Sequence, residues 1–251
     1  MPPSVSVVVP SLRPAAEIDP VAVLAAQPFD DYEVLVRNEA GASSARNAGI
    51  GDAAADNIVF LDDDAIPHGN YLPSVLDALA ENPIVGGRVV HPGNGAISRL
   101  TGGYDRGNQR HFVETVRGSF RRGSTGVVGC NMAFRREVFE TVGTFDTYLE
   151  WGHEETDLVR RALEAGYRVL YDPAMCVTHS LATSVLDYWQ RSYRFGGPDL
   201  RYDRKWDVPL VERLLEVGVP IRIESTAAAT GVATIGNVCR SAGYLRTLLG
   251  R

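Results

Sequence analysis

The sequence predicts an α/β domain built on a mostly parallel central sheet, on three observations. Short apolar runs alternate with helix-like stretches. The runs lack the polar alternation of half-exposed strands, as expected for strands covered on both faces. With 45% hydrophobic and 22% charged residues, the chain of 251 can bury one substantial core.

Taken in order, residues 4–9 (SVSVVV) form a β-branched strand closed by Pro10. A helix is expected over 20–27, a strand over 33–36 (EVLV), and a helix over 43–51 opened by a serine cap, with Gly51 near its end. Residues 58–61 (IVFL) are the third strand and run directly into Asp62, Asp63 and Asp64. These aspartates therefore lie at the carboxyl end of a buried strand, where open α/β sheets place their ligands. A helix over 70–81 and a strand over 84–90 continue the alternation. Residues 92–126, rich in Gly, Arg, Ser and Asn, show no sustained period and read as a long loop of the functional or disordered kind. A strand follows over 130–134, then helices over 136–142 and 157–165, the second with Leu158, Ala162 and Ala165 on one face and Gly166 as its stop. Residues 169–171 and 175–178 are the last apolar runs, and helices are expected over 185–195 and the final thirty or so residues.

A formal charge of −6, from 31 acidic and 25 basic residues, argues against sequence-independent binding to nucleic acid. Cys130, Cys176 and Cys239 are scattered and odd in number, which fits reduced core thiols. No leader pattern and no apolar run of about 20 residues is present, so the expectation is a soluble, cytoplasmic chain.

Three consecutive aspartates repel one another and contribute nothing to a core; a divalent cation bound at Asp62, Asp63 and Asp64 offsets the repulsion. Hard oxygen ligands suit Mg2+ or Mn2+. A solvated acidic turn is the alternative. Glu154, Glu155 and Asp157 form a second acidic cluster at a helix start, where the macrodipole alone favours acids. Trp151, Gly152 and His153 directly before it add an aromatic surface and a flexible joint beside a candidate general base. His179 closes an apolar run and reads either as a further metal ligand or as a surface histidine. Arg46, with Asn47, faces the same sheet edge as the loop from Pro10 to Arg13, within reach of a diphosphate or paired with a surface acid.

These blocks in order (VSVVVPS, SSARNAGI, IVFLDDDAIP, GCNMAFRREVFETVGTFD, WGHEETDL and the strand ending at His179) closely resemble glycosyltransferase family 2 over about residues 4–180. The resemblance implies the GT-A fold, a Rossmann-like αβα sandwich, and a nucleotide-sugar donor. It places Pro10, Ser11, Arg13 and Asn38 at the nucleoside and Arg46 at the diphosphate. Asp62 falls on the ribose and Asp64 on the metal, with Asp63 also on the donor side and Asp62 and His179 as further ligands. Gly129, Cys130 and Asn131 line the cleft for donor sugar and acceptor. Glu155 stands where the family has its catalytic aspartate, flanked by Glu154 and Asp157. Arg37 and Asn38 replace the acidic pair that many members use to read the nucleoside, which points away from a simple UDP sugar and towards GDP or dTDP.

The function implied is metal-dependent inverting transfer of a hexose to a hydroxyl of a saccharide or lipid-linked acceptor, with Mn2+ or Mg2+ as cofactor. The alternatives are nucleotidyl transfer, for which SLRPAAE is a poor triphosphate loop, and a catalytically weak member that binds nucleotide or partners. Residues 1–180 are expected to be catalytic, with a donor half over 1–90 and an acceptor half over 91–180. Residues 181–251 are expected to be a helical extension. Its small apolar residues, interleaved with Arg240, Arg246 and Arg251, suit peripheral membrane contact as well as packing on the domain or a homo-oligomer.

Overall fold

A computed structural model describes residues 1–93, 105–113, 126–180, 182–209 and 226–250. The chain divides into two units. The first comprises Met1–Val90, Tyr104–Glu150 and Glu154–His179, and the second His91–Gly103, Trp151–His153 and Ser180–Arg251.

The first unit carries the sheet: β1 (Val5–Pro10), β2 (Tyr32–Arg37), β3 (Asn57–Leu61), β4 (Ile66–Pro67), β5 (Ile84–Val90), β6 (His111–Val113), β7 (Asn131–Arg135) and β8 (Val169–Thr178). The strand order is β2-β1-β3-β7-β5-β8-β4, with β6 also on β8. β1 runs parallel to β2 and β3, and β5 parallel to β8, while β7 lies antiparallel between β3 and β5. Hence β1, β2, β3, β5 and β8 share one direction, and the sheet is mostly parallel as expected.

Its helices are α1 (Asp19–Ala25), α2 (Ala42–Asp52), α3 (Tyr71–Glu81), α4 (Arg136–Val142) and α5 (Glu154–Glu164). Successive strand residues alternate between two apolar layers. Val7, Val9, Val59 and Leu61 pack with Leu24 of α1 and Leu72, Val75 and Leu79 of α3. Val8, Ile58 and Phe60 pack with Ile50 of α2, Phe139 of α4 and Leu158 and Val159 of α5. Both faces are thus covered, which is why the strands read as continuous apolar runs.

Three local readings change. The runs at 169–171 and 175–178 are one strand, interrupted where Gly87 pairs with Asp172 but Arg88 with Cys176. The Asp172 carboxylate accepts from the Ala174 amide at 2.9 Å and stabilises the bulge. The two-residue β4 and the three-residue β6 are too short to show a period, and β6 falls within what reads as loop; residues 94–104 and 114–125 of that loop lie outside the described residues. Helix α2 is not opened by a serine: Gly41, at φ 97°, is its N-cap. Glu150 accepts from the amides of Ser43 (3.2 Å) and Ser44 (3.3 Å) and from the Ser44 hydroxyl (2.9 Å). A carboxylate against a helix N-terminus satisfies open donors and favours the dipole.

The second unit contains α6 (Val185–Lys205) and α7 (Ala227–Leu248). Ser184 and Thr226 cap them, accepting from Asp187 N and Ala229 N. Residues 210–225 lie outside the described residues.

Candidate functional site

The topology of the first unit brings the chemistry to one sheet edge. Because β1, β3 and β8 run the same way, their carboxyl ends place Ser11, Asp62–Asp64 and His179 together. Because β7 runs the other way, its start arrives there too, with Asn131 opposite Leu61. Pairing of Ile66 with Thr178 brings the chain after Asp64 alongside His179.

Imidazole Nε2 of His179 lies 3.1 Å from Asp64 Oδ1. Asp62, Cys130 and His179 each offer a ligand atom, and these lie within 4.8 Å of one another. The Cys130 thiol is buried, and burial together with the charges of Asp62 and Asp64 raises its pKa well above the usual value. A protonated sulfur is a poor ligand for a hard cation. Asp62 and Asp64, each close to His179, offer with it oxygen and imidazole donors that fit Mn2+ or Mg2+.

Asp63 points to the first loop instead. It accepts from the Ser11 hydroxyl at 2.5 Å and from Arg13 Nε at 3.1 Å, so it shapes that loop. Ser11 N in turn donates to Arg37 O at 2.8 Å, which continues the pairing of Pro10 with Arg37. Arg37 forms ion pairs with Asp52 (2.6 Å) and Glu39 (3.4 Å), leaving the exposed Asn38 beside the loop.

Arg46 is the buried centre of the arrangement. Nη1 donates to Glu154 at 2.7 Å and Nη2 to Asp62 at 3.1 Å, with Gly129 O at 3.4 Å. The guanidinium lies 5.7 Å from the centre of the Phe145 ring, whose backbone N–H and C=O are held by the Asn47 amide. Burial opposes the Arg46 charge, but Glu154 and Asp62 outweigh it and raise its pKa. For Asp62 burial prevails: its pKa is raised despite Arg46 and His179. Arg46 is therefore committed to two carboxylates, one from each acidic cluster, where the sequence leaves it a diphosphate contact or a surface ion pair.

The other candidates separate by burial. Glu155 is partly exposed at the first turn of α5. Asp157 is fully buried and held at 2.9 Å by both Nε and Nη2 of Arg161, so its carboxylate serves the helix and the chain at 142–144, where Arg161 also donates to Val142 O and Thr144 O. Asn131 is likewise fully buried. Its Oδ1 accepts from Tyr71 OH at 2.7 Å, and its Nδ2 donates to Arg88 O (2.8 Å) and Met175 O (2.9 Å). With both amide hydrogens used and no exposed surface, Asn131 ties β5, β7 and β8 together. Glu150 was missed altogether, since its partners lie 106 and 107 residues away and no local pattern signals them.

An αβα sandwich whose acidic strand end faces a second carboxylate cluster is the GT-A arrangement of nucleotide-sugar enzymes. The chain belongs to glycosyltransferase family 2: the model of that family, Glycosyl transferase family 2, matches residues 17–143. A second model, the N-terminal domain of galactosyltransferase, matches residues 110–179. The chain is 30% identical over 175 residues to the pre-mycofactocin glycosyltransferase of Mycobacterium tuberculosis, covering 66% of this chain and 36% of the relative. It is 28% identical over 175 residues to a glucosyl-dolichyl phosphate glucuronosyltransferase of Haloferax volcanii, covering 61% and 52%. The chain thus spans about a third to a half of the length of these relatives. Among solved structures, the mannosyltransferase PcManGT from Pyrobaculum calidifontis, in complex with GDP-Man and Mn2+, shares the fold with a TM-score of 0.58 at 16% identity, covering 100% of this chain and 80% of that one. S. aureus TarS 1-349 superposes with a TM-score of 0.51 at 11% identity, covering 99% and 92%.

Proposed function

We propose that the chain catalyses metal-dependent, inverting transfer of a hexose from a nucleoside-diphosphate sugar to a hydroxyl of a saccharide or lipid-linked acceptor. The observation that carries this reading is the pair of carboxylate clusters at one sheet edge, Asp62 and Asp64 beside His179 and Glu154 beside Glu155, joined through Arg46. Asp64, Asp62 and His179 would hold the cation. Its contribution when bound is positive charge against the departing diphosphate. Pro10, Ser11, Arg13 and Asn38 border the nucleoside, with Asp63 keeping the loop in shape. Glu155, partly exposed at the first turn of α5, is the general base. Arg46 holds the carboxylates of Asp62 and Glu154 in place.

Arg37, tied to Asp52 and Glu39, offers no acidic pair to a uracil, which favours a GDP or dTDP sugar; a structural neighbour binds GDP-Man with Mn2+. One relative's name contains a dolichyl phosphate, in keeping with a lipid-linked acceptor. In this reading residues 1–90 form the donor half, 91–180 the acceptor half and 181–251 an extension of a cytoplasmic enzyme. Among the described residues no helix is long and apolar enough to cross a membrane. Ile235, Val238, Leu245 and Leu249 of the C-terminal segment are exposed, and they are the surface through which it would meet a bilayer or a second copy.

Thermal stabilisation by UDP, GDP and dTDP, each with Mn2+, tests the donor site. GDP or dTDP with the ion should raise Tm of the wild type and do so far less in Asp64→Asn and His179→Ala. Equal stabilisation of Asp64→Asn, or selective binding of UDP, would refute the assignment of metal or of base.

A further inference from the structure

We infer that Asp199 of α6 and Arg240 of α7 are positioning residues that lock Trp151–His153, the segment immediately preceding Glu154 and Glu155. The second unit holds these three residues by a chain of contacts that begins in its backbone. A methyl group on Gly243 would lie 1.9 Å from Tyr193 O, and one on Gly196 2.2 Å from Tyr244 N, so the two helices touch backbone to backbone. That close approach sets Arg240 over the Phe195 ring, 5.3 Å from its centre, and against Asp199, with Nε 2.6 Å from Oδ2 and Nη2 2.5 Å from Oδ1. The buried Asp199 carboxylate then meets His153 Nε2 at 2.7 Å, while the imidazole packs 5.1 Å from the Tyr202 ring.

The segment so held does not keep its shape unaided. Trp151 and His153 both have φ of 68°, a left-handed conformation that side chains disfavour. Gly152, at φ 145°, lies where a methyl would be 3.0 Å from Phe195 Cε1 and Pro198 Cβ. Such backbone persists only where its surroundings over-determine it, and such sites gather at functional loops. Here the lock leaves Trp151 70% exposed. Opening it frees the chain next to the first turn of α5 and so misplaces Glu155; this consequence rests on the role proposed for Glu155.

Hydrogen exchange read by mass spectrometry over residues 149–156, in wild type, His153→Ala, Asp199→Asn and His153→Gln, tests the lock. His153→Ala keeps the Asp199–Arg240 pair intact and covers the case in which Asp199→Asn fails to fold. The amides of 151–155 should exchange at least about tenfold faster in His153→Ala and Asp199→Asn, with peptides from β1 and β3 unchanged. His153→Gln, which keeps a donor for Asp199, should restore part of the protection. Hydrolysis of GDP-mannose or UDP-glucose, with Mn2+, should show a lower kcat at unchanged donor KM. Unaltered exchange in His153→Ala overturns the proposal, as does a loss spread evenly over the first unit. Failure of nucleotide with Mn2+ to stabilise the wild type would instead count against the proposed function and leave the exchange result to decide the lock.

Discussion

Replacing Arg46 by methionine removes a cation that two carboxylates share. Only 8% of the Glu154 side chain is exposed, and it loses its 2.7 Å partner; Asp62, whose side chain is 36% exposed, loses one at 3.1 Å. Methionine fills much of the same volume, so the effect is electrostatic rather than that of a cavity. Removing one partner of a buried ion pair costs about 3–5 kcal/mol, because the remaining charge stays buried without compensation. For a domain of this size that lowers Tm by roughly 6–20 °C. Arg46→Lys should fall between wild type and methionine, since one ammonium cannot span Glu154 and Asp62 as a planar fork does. Calorimetry of wild type, Arg46→Met, Glu154→Gln and the double variant checks the argument. The double variant has no buried Glu154 charge left to strand, so the two effects should be non-additive by about 1–3 kcal/mol. A fall of less than about 2 °C in Arg46→Met, or strict additivity, would refute the shared-cation reasoning.

Three further outcomes are expected. Glu155→Gln should keep nucleotide and metal binding while lowering transfer by roughly two to four orders of magnitude; near-normal turnover, or a larger loss in Glu154→Gln, moves the base elsewhere. Asn131→Ala removes the three hydrogen bonds of a buried amide and takes from Tyr71 OH its 2.7 Å acceptor, which should cost about 2–4 kcal/mol in denaturant unfolding, with donor KM unchanged in the folded fraction. Burial opposes the Asp199 charge, but Arg240 and His153 hold its pKa well below the usual carboxylate value. The stability from this depressed pKa is present above about pH 4 and lost as pH falls through the lower, folded-state value. Acid titration followed by circular dichroism should therefore show a component absent from Asp199→Asn, and identical acid transitions would contradict it.

The sequence by itself determined the α/β class and most of the strands and helices. The apolar runs at 4–9 and 58–61, closed by Pro10 and Asp62, and the helix stopped by Gly166, follow from residue type and period. Both are local properties of the chain. It also placed the aspartates at a strand end, because a run that ends in charge ends in solvent. Only the tertiary structure decided which partner each polar group takes. Arg46 reads as a diphosphate ligand or a surface ion pair until Glu154, 108 residues away, is seen to occupy Nη1. Asn131 reads as a cleft residue until Tyr71, Arg88 and Met175 are found on its amide. Serine caps α2 on local pattern, whereas in the fold Gly41 is the N-cap and the distant Glu150 accepts from the first amides of the helix. The physical reason is common to all three. Propensity and hydrophobic period act between neighbours in sequence, whereas a hydrogen bond acts over about 3 Å in space and is set by whichever chain segment the packed core brings there.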